Sequence, residues 1–116
     1  MKTVNVYQME AVKITKAIKF YKAFEQIDGL ASNFAKPFED TYQAATKIWL
    51  ENDDDGTSGK KFALILPDER EDASELCRAL KMYITYESSF WRFNCDLKKG
   101  LRGCMIDLCD RILAQY

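Results

Sequence analysis

Four stretches of this chain repeat apolar residues at the period of an α-helix, and only five glycines and two prolines interrupt its 116 residues. Helical phase is therefore the strongest constraint on what it can fold into. In the clearest case Phe34, Phe38, Thr41, Tyr42, Ala45, Ile48 and Trp49 fall on one side of a helix. Glu39, Asp40, Gln43, Lys47 and Glu51 point away. Asn33 or Ser32 is its expected N-cap, with Pro37 in the first turn, where a missing N–H is tolerated.

An earlier helix gathers Ile14, Ala17, Ile18, Phe20, Tyr21, Phe24 and Ile27 against an outer face of Lys16, Lys19, Lys22 and Gln26. Its start is expected between Met9 and Lys16 and its end before Gly29. Lys13 would project from the apolar side, which favours a late start. A third helix opens at Pro67-Asp68-Glu69-Arg70-Glu71, with Asp68 as expected N-cap and Glu71 at capping-box spacing. Its inner face is Ala73, Leu76, Cys77, Ala79, Leu80, Tyr83 and Ile84. Its end is expected either at Ser88-Ser89 or as far on as Lys99, because Phe90, Trp91 and Leu97 keep the phase of Tyr83. Gly100 and Gly103 then predict a turn, followed by a last helix with Met105, Leu108, Cys109, Ile112 and Leu113 inside and Asp107, Asp110 and Arg111 in solvent.

Thr3 to Tyr7 alternates like a half-buried strand, and Phe62 to Leu66 is an apolar run that ends at Pro67. The expected fold class is mainly α: one domain over residues 1–116, a compact bundle of four to five helices, with those two segments able to pair as a minimal sheet (α+β). An apolar side on every helix permits a homodimer as readily as a monomer.

No apolar run reaches the length that crosses a bilayer, and the polar start Met1-Lys2-Thr3-Val4-Asn5 lacks an export segment, so no membrane association and a cytoplasmic location are expected. Disulfides are disfavoured there. Cys77, Cys95, Cys104 and Cys109 show no paired C-x-x-C spacing, and Cys77 and Cys109 fall on apolar helix faces, so core thiols are the expectation.

The chain contains no histidine. That removes the commonest general base and metal ligand and every Ser-His-Asp or Cys-His arrangement. Glu69, Glu71, Asp72 and Glu75 cluster, but acids in a first helical turn serve capping and solubility. Glu51 to Gly56 resembles the start of a calcium loop, yet counting Gly56 as its sixth position puts Phe62 where a bidentate Glu is needed. Gly56-Thr57-Ser58-Gly59-Lys60 fails as a phosphate loop, because Lys61 replaces the required Ser or Thr and a strand follows in place of a helix. The expectation is no metal, no cofactor and no enzymatic activity.

Net charge is −1, but residues 1–36 carry +3, residues 37–75 carry −7 and residues 76–116 carry +3. Tyr83, Tyr86, Phe90, Trp91 and Phe93 crowd eleven residues, with Arg92 between two of the rings. Aromatic and Arg side chains anchor interfaces because they bury large areas with few rotatable bonds, and one helix cannot turn Trp91, Arg92 and Phe93 all inward. The acids Asp53, Asp54, Asp55, Glu69 and Asp72 offer a second surface, suited to steering a basic partner. The expected function is a protein-interaction module, a small regulator or inhibitor that occludes a larger protein. The alternative is a nucleic-acid-binding protein that uses Phe90 to Arg102, with rings for base stacking beside Lys98, Lys99 and Arg102.

Overall fold

The computed structural model describes residues 2–28, 38–51, 60–88 and 95–116. In chain order it contains β1 (Thr3–Tyr7), α1 (Gln8–Asp28), α2 (Glu39–Glu51), β2 (Lys61–Ile65), α3 (Arg70–Ser88) and α4 (Cys95–Leu113). It is mostly helical, with one antiparallel two-stranded sheet. The expected strands pair as anticipated, Thr3 opposite Ile65 and Tyr7 opposite Lys61. Leu66 N–H extends the ladder by donating to the Lys2 carbonyl at 2.9 Å.

The strands' alternation decides which face is buried. Val4, Val6 and Leu64 point inward, while Thr3, Asn5, Tyr7, Lys61 and Ala63 are exposed. Carbonyls on both outer edges of the sheet are taken. Arg111 donates to the Asn5 oxygen at 2.8 Å, and the buried Thr41 hydroxyl donates to the Ile65 oxygen at 2.9 Å. Each bond removes an acceptor that an edge strand would otherwise offer.

Contacts between elements close into a ring: α2 packs on α1, α1 on α3, α3 on α4, α4 on β1, β1 on β2 and β2 on α2. Inside it lies one continuous core, which includes Val6, Ile14, Ile18, Phe38, Leu64, Leu76, Leu80, Leu108 and Ile112. The Gln8 side chain donates to the Trp49 carbonyl at 3.1 Å, and Lys22 pairs with Glu39 at 3.5 Å, so α1 and α2 run antiparallel. The first of these bonds also satisfies a carbonyl in the last turn of α2, which has no partner within its own helix.

Four local expectations are corrected. The first helix starts at Gln8, directly off β1, and not later. Glu10 reaches back to accept the Tyr7 N–H at 2.8 Å, the reciprocal half of a capping box. Lys13 does sit on the inner side, and an ion pair with Glu87 on α3 compensates its charge. At the third helix the Glu69 carbonyl accepts from Ala73 N–H at 3.1 Å, so the helix begins at Arg70, one residue later than an Asp68 cap implies.

The predicted turn at Gly100 and Gly103 is absent, since α4 runs through both. Glycine in a helix costs only about 1 kcal/mol relative to Ala, and the Met105, Leu108 and Ile112 stripe buried by the same helix outweighs it. Arg111 is half-buried in place of facing solvent. Because α3 and α4 pack side by side, one helix does not run from Arg70 to Lys99. The expected caps at Ser32 and Asn33 and the loop at 52–59 lie outside the described residues.

Candidate functional site

The aromatic series nominated by the sequence begins on α3, and its described members, Tyr83 and Tyr86, meet Phe20 of α1. The Phe20 ring lies 4.8 Å from Tyr86 at an interplanar angle of 30°, and 6.0 Å from Tyr83 edge-on at 63°. Such spacings lie within the favourable range for ring pairs. Helical phase sets the depth of each ring. Tyr83, one turn on from the buried Leu80 and next to the buried Ile84, is half-buried, while Tyr86 turns outward and keeps 50% of its surface exposed.

Beside these rings Lys13 of α1 pairs with Glu87 of α3, with side-chain exposures of only 12% and 21%. One carboxylate oxygen of Glu87 takes the ammonium, and the other, Oε2, is buried without a hydrogen-bond partner. The Tyr83 phenol is pushed up to about 12, first by its burial and then by the negative charge of Glu87. It is therefore a neutral phenol at physiological pH. The seam between α1 and α3 thus presents an aromatic surface flanked by a largely buried ion pair.

Glu69 is exposed and Asp72 half-buried, both at the opposite end of α3. A helix rise of about 1.5 Å per residue puts Asp72 roughly 20 Å from Tyr86 along the axis. Asp72 and Asp68 instead lie near the Tyr116 phenol, which donates to the Pro67 carbonyl; burial, and then Asp68, Cys77 and Asp72, raise its pKa. The described acids Glu69 and Asp72 are accordingly separate from the described rings Tyr83 and Tyr86. Asp53, Asp54, Asp55, Trp91, Arg92 and Phe93 lie outside the described residues, as do the side chains from Phe90 to Arg102 of the nucleic-acid alternative.

Sequence reasoning missed Phe20, Lys13 and Glu87 as members of this surface. Lys13 carried the available signal: a cation on an apolar helix face requires an anion on whatever packs there. A further seam, between α1 and α2, holds Lys16 over Trp49 at 6.0 Å and Lys22 over Tyr42 at 5.0 Å, contacts that fix long side chains on a solvated face.

Among the described residues no three His, Cys, Asp or Glu gather as a metal site requires, and no helix is long and apolar enough to cross a membrane. Compared with known protein families, curated proteins and solved structures, the chain matches none of them.

Proposed function

We propose that this chain is a non-enzymatic protein-interaction module, a small regulator or inhibitor that binds and occludes a larger protein, acting in the cytoplasm. The observation that carries the reading is Tyr86, half-exposed yet held against Phe20 at 4.8 Å. A ring already fixed by a neighbour loses little entropy when a partner covers it, so the area it buries converts efficiently into affinity. In sequence this surface leads on to Trp91, Arg92 and Phe93, the residues best suited to extend it. The distant acids Glu69 and Asp72 would contribute steering and partner choice more than affinity.

The test is site-specific photo-crosslinking in the native host, with the reactive side chain at position 86 and, as control, at the exposed position 78 on the same helix. The proposal expects one discrete adduct from position 86 alone. The captured protein, once purified, should bind the unmodified chain and lose at least tenfold in affinity to Tyr86→Ala, with the helical signal unchanged. Equal crosslinking from both positions, or undiminished binding by a folded Tyr86→Ala variant, would overturn it.

A further inference from the structure

Two of the four cysteines, 32 residues apart in sequence, face each other across the packing of α3 on α4. The Cys77 sulfur lies 3.8 Å from the Cys109 carbonyl oxygen, and the Cys109 sulfur 3.8 Å from the Cys77 carbonyl oxygen. This reciprocity matters. A sulfur that merely fills a core gap approaches whatever atoms surround it, whereas here each sulfur lies in contact with the other residue's backbone. That mutual approach is what a disulfide between two helices requires.

We propose that Cys77 and Cys109 are a modification site, a dithiol that closes to a disulfide and staples α3 to α4. The chemical class of the oxidant follows from burial. The two residues are 3% and 2% exposed, which shuts out a tripeptide disulfide such as oxidised glutathione but admits hydrogen peroxide during small openings of the helix pair.

The Lys81 ammonium favours the thiolate of both residues. Either sulfur can therefore attack first while the other resolves.

With Cys109 as the attacker, the steps balance as follows. The Cys109 sulfur attacks one peroxide oxygen and the O–O bond breaks. Hydroxide leaves and is protonated to water, and Cys109 becomes a sulfenic acid. The Cys77 sulfur then attacks the Cys109 sulfur, the S–O bond breaks, and the departing hydroxide takes the Cys77 proton to form a second water. Two thiols and one peroxide give one disulfide and two waters. With the resolving thiol already in place, over-oxidation of Cys109 is outpaced. Cys104 is exposed and takes no part. The closed bond would also tie the stretch that carries Trp91, Arg92 and Phe93 into a covalent ring, linking oxidation state to the surface proposed for partner binding.

The experiment uses the full chain carrying Cys104→Ser, because tryptic cleavage leaves Cys104 and Cys109 in one peptide, 103–111, and Cys77 in another, 71–78. The folded, reduced protein is exposed to hydrogen peroxide, quenched, alkylated under denaturing conditions and digested. The expected product is peptide 71–78 joined to 103–111 at the mass of the two thiol peptides less two hydrogens. It should be reversed by dithiothreitol and should give a higher denaturation midpoint than the reduced chain. Separate sulfinic acids on the two peptides, cross-linking of either cysteine to Cys95, alkylation of both thiols after treatment, or a lowered midpoint would each overturn the proposal.

Discussion

Arg111 in the last turn of α4 holds the carboxylate of Glu10 in the first turn of α1, across 101 residues of sequence. Glu10 accepts the Tyr7 N–H with its other oxygen, and Arg111 also bonds Asp107 at 2.9 Å and the Asn5 carbonyl at 2.8 Å. The Glu10 side chain is 11% exposed and that of Arg111 28%, so water screens this junction poorly.

Arg111→Ala leaves a nearly buried carboxylate without its cation and the Asn5 carbonyl without its donor. Hydrogen bonds to charged groups of this kind are each worth about 1.5–3 kcal/mol, so we expect an unfolding free energy lower by about 2 kcal/mol in chemical denaturation. Arg111→Lys should recover only part of the loss, because an ammonium cannot reproduce the guanidinium fork. A loss below about 0.5 kcal/mol would mark the junction as a surface ion pair of no consequence.

The Lys13–Glu87 pair makes a different prediction. Lys13→Met alone strands a carboxylate whose second oxygen already lacks a partner, and should cost about 2–3 kcal/mol. Lys13→Met combined with Glu87→Leu removes both charges and should regain most of that loss. If the double variant is as unstable as the single one, packing and not charge explains the effect. Urea midpoints of the three proteins decide it.

Gly103 is exposed in the middle of α4, and an added Cβ meets nothing within 4 Å. Gly103→Ala should therefore stabilise the chain by about 0.5–1 kcal/mol, the difference in helical propensity and unfolded-state entropy. An unchanged or lower thermal midpoint would contradict the helical conformation at this position.

Tyr83 should ionise late. Its pKa rises from an ordinary 10.0 to about 12 in the folded chain, so the folded state keeps a proton that the unfolded state releases. The resulting stability is present in full below pH 10 and disappears as pH rises through about 12. In an alkaline absorbance titration, the difference between the native chain and Tyr83→Phe should have its midpoint near 12. A midpoint at the ordinary tyrosine value would show the phenol to be solvated.

The inner stripes of the helices were legible because burial and period coincide: Ile14, Ile18, Ala45, Ile48, Leu76, Leu80, Leu108 and Ile112 are all buried where phase put them. The early start of α1 was not legible. The sign against it was Lys13, and the residue that answers that charge stands 74 positions further on, where local pattern has no reach. Gly100 and Gly103 misled for the opposite reason. Their local preference for a turn is real but small, and the burial of a continuous apolar stripe exceeds it. Within the candidate surface, Tyr83 and Tyr86 were visible as a cluster, but Phe20 could be joined to them only by the packing of α1 on α3.

Strand β1 is held on one edge by residues 61–65 and on the other by Arg111, 106 residues beyond Asn5. On a ribosome those five residues emerge long before either support has been translated, and two paired strands by themselves are marginal in water. Completion of the ring must therefore wait for α4. Until then the Val4 and Val6 side chains have no settled place, which makes this short segment the part of the nascent protein most in need of shelter from other chains.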